Sequence, residues 1–134
     1  MIVVDTNVIG YLYLSSERSK QAEQVLRRDP EWAAPRLWRS ELRNVLAFYM
    51  RKKLLSLDDT KQIMVQALAL LEGREYEVPS SSILRLAESS GCSAYDCEFV
   101  ALAQELAVLL VTVDRQVLAN FSETAISLEM FVEN

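Results

Sequence analysis

Two short apolar runs, one near each end of the chain, constrain the fold more than any other feature. Ile2–Val4 is β-branched throughout and stops at Asp5, and residues 108–113 form a second such run that stops at Asp114. Continuous apolar runs of this length are typical of strands that are buried on both faces, as in parallel sheets. Parallel neighbours need long crossover connections, and helical patterns fill the sequence between the two runs. The chain is therefore predicted to adopt an α/β fold.

The segments between these runs supply the remaining elements. Helical spacing of apolar residues predicts helices near residues 6–14, 17–28, 37–53, 58–71, 80–90 and 93–106, and a short one after Asp114. Short strands are predicted at residues 31–34, 76–79 and 125–128. Asp58 is expected to cap one helix, Ser93 to cap another in an S-x-x-D pattern, and Gly91 to end a third. We expect a mainly parallel sheet of four or five strands, flanked by helices, in a single domain over residues 1–134.

The chain contains no His, which narrows its possible chemistry. Serine and cysteine nucleophiles activated by His, His general bases and His-ligated zinc sites are all excluded. The two Cys of a chain without a recognisable secretory leader suggest reduced thiols and a cytoplasmic location. No apolar run approaches the roughly 18 residues that span a bilayer, so no membrane association is expected. Any hydrolytic chemistry must therefore depend on carboxylates.

Two acidic residues occupy the positions where open α/β sheets bind their ligands. Asp5 and Asp114 each follow an apolar strand, and ligands of such sheets bind beyond the carboxyl ends of the strands. If the two strands are parallel neighbours, both carboxylates emerge at the same edge. Each residue could instead cap the helix that follows it, and the sequence leaves both interpretations open.

Two further acidic residues lie on helix faces that are otherwise apolar. Glu41 lies between Trp38 and Val45, and Asp96 precedes Phe99 and Val100. An unpaired carboxylate on a buried face costs several kcal/mol. Asp96 could alternatively complete a capping box, and Glu41 could lie at the margin of its face. At about 4 Å and an effective dielectric of about 20, two like charges repel by about 4 kcal/mol, a repulsion that a divalent cation would relieve. Oxygen ligands alone favour Mg²⁺ or Mn²⁺ over zinc.

Four blocks of the sequence resemble the PIN-domain ribonucleases, and most closely the VapC-type toxins of prokaryotic toxin–antitoxin pairs. The blocks are Asp5-Thr6-Asn7 after the first strand, Ser40-Glu41-Leu42 in a helix, Tyr95-Asp96 followed at a distance by Ala101-Leu102-Ala103, and Leu110-Val111-Thr112-x-Asp114. The resemblance covers nearly the whole chain and implies a three-layer PIN-like fold. It implies that the metal-binding and catalytic residues are Asp5, Glu41, Asp96 and Asp114, with Thr112 a polar neighbour and Asn7 a possible substrate or supporting contact.

The same resemblance implies a function. It predicts a Mg²⁺-dependent endoribonuclease, with Mn²⁺ a possible substitute, in which a metal-activated water attacks an RNA phosphodiester. The expected partners are single-stranded or structured RNA, a cognate antitoxin and a second copy of the chain in a homodimer. The apolar run at residues 11–14 is predicted to offer a groove for a partner helix. A housekeeping PIN-type nuclease acting on RNA or DNA, and a non-catalytic binding module, remain the alternatives.

Several charged residues near these blocks have no assigned role. Glu98 follows Asp96 where small or apolar residues are usual in the family, and we expect it to be solvated rather than an outer acid of the site. Arg36, Arg39 and Arg43 form a stripe about 140–200° around their helix from Glu41, so they are not expected to line the metal site. Arg115, next to Asp114, is the better candidate for a phosphate contact.

Overall fold

The computed structural model describes residues 1–133 and contains one five-stranded sheet. Its strands are β1 (Ile2–Val4), β2 (Trp32–Pro35), β3 (Glu75–Tyr76), β4 (Leu110–Val111) and β5 (Ala125–Ile126). Their order across the sheet is β3-β2-β1-β4-β5, and every neighbouring pair is parallel. The predicted α/β fold with a parallel sheet is confirmed. The two apolar runs of the sequence form β1 and β4, which are neighbours in the sheet, with Val4 opposite Val111.

Helices connect all of these strands. They are α1 (Thr6–Tyr13), α2 (Ser19–Arg28), α3 (Leu37–Arg51), α4 (Leu57–Leu70), α5 (Ser80–Ser90), α6 (Ala94–Leu106), α7 (Arg115–Asn120) and α8 (Leu128–Glu133). One group of helices, α1, α2, α3 and α8, is held together by mutual contacts, and α6 packs against β1 and β2 and pairs with α5. The sheet is therefore covered by helices, and the three residues of β1 are at most 3% exposed.

Local sequence signals fix several of the helix ends. Ser93 Oγ accepts a hydrogen bond from the Asp96 amide at 3.1 Å, and Gly91 ends α5 in the left-handed conformation that glycine tolerates best. The expected cap at Asp58 is wrong, because Ser56 caps α4 and Asp59 closes the capping box from the third helical position. Asp58 lies in the first turn instead, where a carboxylate still favours the helix dipole.

Two other expectations about apolar segments differ from the structure. The strands near residues 108–113 and 125–128 are shorter than predicted, because the chain turns into α7 and α8 soon after the ladder ends. In the run at residues 11–14, Leu14 is buried and the three residues before it are half-buried against the core, so only part of this run is open to a partner. Within residues 1–133, no helix is both long enough and apolar enough to cross a membrane.

Candidate metal centre

The first two predicted acids meet where β1 and β4 end. Asp5 directly follows β1, and its amide donates to the Val111 carbonyl at 3.1 Å, so it extends the ladder by one step. Asp114 follows β4 by three residues and begins α7. The connection that leaves β1 leads to β2 on one side, whereas the connection that leaves β4 leads to β5 on the other, so the strand order reverses between β1 and β4. Ligands of open α/β sheets bind at such a switch point. The position predicted from the sequence is therefore the one that the fold creates.

The other two acids reach this edge from helices. Glu41 lies in the second turn of α3, which begins just beyond the carboxyl end of β2, and Asp96 lies in the first turn of α6. Thr6 Oγ1 donates a hydrogen bond of 2.7 Å to Glu41 Oε1 and thereby ties α3 to the residue after Asp5. All four acidic residues are half-buried, so none is fully enclosed.

A buried threonine joins two of the acids directly. Thr112 is 0% exposed, and its Oγ1 donates to Asp5 Oδ2 at 2.7 Å while accepting the Asp114 amide at 3.1 Å. A single hydroxyl thus orients the Asp5 carboxylate and fixes the backbone that carries Asp114. Thr112 was predicted as a polar neighbour of the site, whereas the equivalent role of Thr6 for Glu41 was missed. The hydroxyl within the Asp5-Thr6-Asn7 block was the signal that could have indicated it.

Burial and mutual repulsion perturb the acids. Burial is the largest cause that raises the pKa of Asp5, the Thr112 hydroxyl opposes it, and the charge of Asp96 raises it further. Burial likewise raises the pKa of Glu41, against the hydrogen bond from Thr6, with added repulsion from Asp5, Asp96 and Glu98. For Asp96, burial and then the charge of Asp114 raise the pKa. The four acids therefore form one electrostatically coupled group.

The capping interpretations hold for only some of these residues. Asp114 does cap α7, because its Oδ1 accepts the Val117 amide at 2.9 Å. Asp5 precedes α1 but makes no side-chain capping bond. Asp96 forms only half of a capping box with Ser93. The S-x-x-D pattern that ends at Asp59 forms a complete capping box, and the hydrogen bonds of that box lower the pKa of Asp59. Helix capping therefore does not account for the carboxylates of Asp5 and Asp96.

The residues present fit a divalent cation in donor chemistry. All the donors are carboxylate and hydroxyl oxygens, which Mg²⁺ and Mn²⁺ prefer. Throughout residues 1–133, none of the four acids has a Lys or Arg within ion-pairing distance, so their charge is uncompensated. In the arrangement that these residues adopt, no three acidic or Cys side chains surround a single point closely enough to hold an ion. The side chains would have to rotate to ligate a metal.

The remaining predicted residues lie around this group. Asn7 and Arg115 are exposed beside Asp5 and Asp114, respectively, where they are open to a substrate. Glu98 is half-buried, burial raises its pKa, and its charge contributes to raising the pKa of Glu41. Its solvated role therefore stays a prediction.

The arginine stripe is divided between three environments. Arg39 forms a bidentate pair with Glu75, through Nε to Oε2 and Nη2 to Oε1, both at 2.6 Å. Arg43 bonds back to its own helix, at the Arg39 carbonyl and Ser40 Oγ. Arg36 immediately precedes α3 with helical backbone angles, and it lines a cleft together with Glu98.

Comparison with known proteins agrees with this geometry. The family model of the PIN domain matches residues 2–125. The chain belongs to the PIN-domain family. Within that family it is 31% identical over 123 residues to Ribonuclease VapC3 of Pyrobaculum aerophilum, an alignment that covers 90% of this chain and 94% of that protein.

Solved PIN-like structures share the fold. The crystal structure of PAE2754 from Pyrobaculum aerophilum superposes with a TM-score of 0.77 at 22% identity, covering 98% of this chain and 86% of that one. A toxin–antitoxin complex from Klebsiella pneumoniae gives a TM-score of 0.72 at 17% identity, covering 96% and 98% of the two chains. The three-layer PIN arrangement implied by the sequence motifs is confirmed.

Proposed function

We propose that this PIN domain is a metal-dependent endoribonuclease, with Asp5, Glu41, Asp96 and Asp114 as its catalytic, metal-binding residues. The observation that carries the proposal is the group of coupled, partly exposed carboxylates without a cationic partner at the switch point of the sheet. The 31% identity to a protein named as a ribonuclease supports RNA as the substrate. We further propose that residues 1–134 act as one domain.

The chain's own residues would hold the reacting groups in place. Thr112 fixes the Asp5 carboxylate, Thr6 fixes Glu41, and the Val117 amide fixes one oxygen of Asp114. Mg²⁺, or Mn²⁺ in its place, would when bound neutralise the phosphate and activate a water for attack on the phosphodiester. Arg115 and Asn7 are exposed beside the acids and are proposed to contact the RNA.

The enzymatic proposal is tested with purified protein and single-stranded RNA. Cleavage should require Mg²⁺ or Mn²⁺ and stop in EDTA, and Asp5→Asn or Asp96→Asn should lower the rate by orders of magnitude. Asp58→Asn removes the same charge from the exposed first turn of α4 and serves as the matched control. Undiminished cleavage in EDTA would contradict the proposal. Single-stranded DNA in the same assay separates a ribonuclease from a related nuclease that cuts DNA.

We also propose that the enzyme is the toxin of a type II toxin–antitoxin pair. An Arg or Lys of the antitoxin could pair with the uncompensated acids and exclude the cation. An apolar groove of about 520 Å³ between α3 and α4, lined by Leu46, Met50, Leu57 and Met64, is open to a partner helix. Arg43 and Lys61 also line this groove and favour an acidic, amphipathic segment. The structural likeness to a toxin–antitoxin complex supports this assignment.

Growth measurements test the toxin proposal. Expression of the wild type should arrest growth, and co-expression of the small gene that neighbours this one should relieve the arrest and yield a stable complex. Harmless expression of an active enzyme without a copurifying partner would favour a housekeeping nuclease. Light scattering of the isolated chain tests the proposed homodimer.

A further inference from the structure

A second feature of the carboxyl edge lies beside the acids, between the ends of β2 and β3. It is a cleft of about 330 Å³ whose lining includes Arg36, Tyr76 and Glu98, a volume at the lower end of small-ligand pockets. Pro35 pairs with Tyr76 in the sheet, and the Arg36 amide donates to the Tyr76 carbonyl at 3.1 Å. The backbone that carries Arg36 and Tyr76 is therefore fixed by the last step of the ladder.

The Arg36 guanidinium is free to bind a ligand. The charge of Arg36 acts on Glu75, but the two oxygens of Glu75 are already taken by Arg39 and by Trp38 Nε1 at 2.7 Å. Across residues 1–133, no carboxylate lies within 4.0 Å of Arg36, and its side chain is exposed. An arginine that is not engaged by its own protein is a suitable partner for a phosphate group.

The surroundings restrict which phosphate this could be. Glu77 and Glu98 both line the same cleft, and the chain as a whole carries a net charge of −5, so a small free anion would be repelled. A phosphate of an RNA strand that is already bound at the neighbouring acids is held near Arg36 at a high effective concentration, because the strand links the two sites. Tyr76 lines the same cleft; it is half-buried and packs in part against the core, and the part of it that stays exposed is where a base could stack.

We propose that this cleft is a nucleotide subsite, in which Arg36 binds the phosphate next to the scissile one and Tyr76 stacks on the adjoining base of a single-stranded RNA. The inference rests on the proposed ribonuclease function and adds a direction to it. The substrate would run from the acids at β1 and β4 across the carboxyl edge toward β2 and β3. Arg36 and Tyr76 are then positioning residues rather than catalytic ones.

The subsite is tested by steady-state cleavage of a single-stranded RNA with saturating Mg²⁺. Arg36→Ala should raise KM about tenfold with little change in kcat, and Arg36→Lys should recover part of the loss. In Arg36→Ala, the negative slope of log(kcat/KM) against log[salt] should become shallower by about 0.7, the value for one phosphate of a single strand. Tyr76→Leu should raise KM at least about fivefold through lost stacking. Arg27→Ala, at the end of α2 near the opposite edge of the sheet, is the control and should change none of these quantities.

A substrate with one uncharged methylphosphonate beside the scissile linkage gives the decisive comparison. With this substrate, kcat/KM of the wild type should be about tenfold lower than with the natural RNA. For Arg36→Ala, kcat/KM should be the same with both substrates. If the losses of kcat/KM from the methylphosphonate and from Arg36→Ala were fully additive, the subsite would be overturned while the nuclease proposal stands. An unchanged KM and salt slope in Arg36→Ala would have the same consequence. Failure of the wild type to cut any RNA would overturn both.

Discussion

The hydroxyl of Thr112 is the contact on which the site's geometry depends most directly. It donates to Asp5 Oδ2 and accepts the Asp114 amide, and it is fully buried between the two central strands. Thr112→Val removes the hydroxyl while keeping the volume and the β-branched shape of the side chain. The substitution therefore isolates the two hydrogen bonds from packing.

The magnitude follows from what each bond contributes. A hydrogen bond to an ionised carboxylate is worth about 1.5–3 kcal/mol, and the amide of the half-buried Asp114, left without its acceptor, adds at most about 1 kcal/mol. We expect Thr112→Val to lower the free energy of unfolding by about 2–4 kcal/mol at neutral pH without metal. Thr112→Ser keeps both bonds and loses one buried methyl group, which costs about 1 kcal/mol.

Urea denaturation in EDTA measures these differences, and RNA cleavage with Mg²⁺ measures the functional effect. The valine variant should also cleave about 10–100-fold more slowly, the usual loss when a residue that orients a metal ligand is removed. The serine variant should keep most of the activity.

The pH dependence provides an independent check on the Asp5 bond. Burial raises the pKa of Asp5, so the folded state binds this proton more tightly than the unfolded state, and stability falls as pH rises from the ordinary value of 3.8 through the folded pKa. Without the Thr112 hydroxyl the folded pKa rises further, so the valine variant should lose more stability over that interval. The deficit of the valine variant should be larger at pH 7 than near pH 3. Equal stabilities of the valine and serine variants, or a deficit independent of pH, would refute the reasoning.

Three further outcomes follow from the charges at and near the site. Mn²⁺ at 100 times its dissociation constant should stabilise the wild type by about 2.7 kcal/mol, and an equal rise of the melting temperature in Asp5→Asn would show that the ion binds elsewhere. Without metal, Asp5→Asn should be more stable than the wild type at pH 7, because it removes a buried, repelled carboxylate, and the advantage should vanish on acidification below the ordinary pKa of Asp5. At pH 7, Glu75→Gln should unfold at a lower urea concentration than the wild type. The hydrogen bonds from Arg39 are the main cause that lowers the pKa of Glu75. Their contribution to the free energy of unfolding is therefore present above pH 4.5 and lost as the pH falls through the folded pKa. An unchanged urea midpoint for Glu75→Gln would contradict the last of these.

Local sequence patterns determined the elements and the chemistry of this protein. Two short apolar runs predicted the strands β1 and β4, helical periodicity predicted α1 to α7 within a few residues, and the absence of His left carboxylates as the reactive groups. Such signals are readable because they arise between residues that are close in the chain. The exceptions were local as well: Ser56 rather than Asp58 begins α4, and the short α8 was not predicted. Whether the four acids act as metal ligands stays a prediction.

Tertiary structure decided how these residues meet. Thr112 and Asp5 are 107 residues apart in the chain, and Thr6 and Glu41 are 35 apart, so only the strand order and the packing of α1 on α3 bring them together. The same holds for Arg39, which is paired with Glu75, and for Arg36, which has no carboxylate within 4.0 Å among residues 1–133. Hydrophobic periodicity specifies which face of an element is buried but not which element covers it. For that reason, contacts between polar side chains on different elements become visible only once the chain has folded.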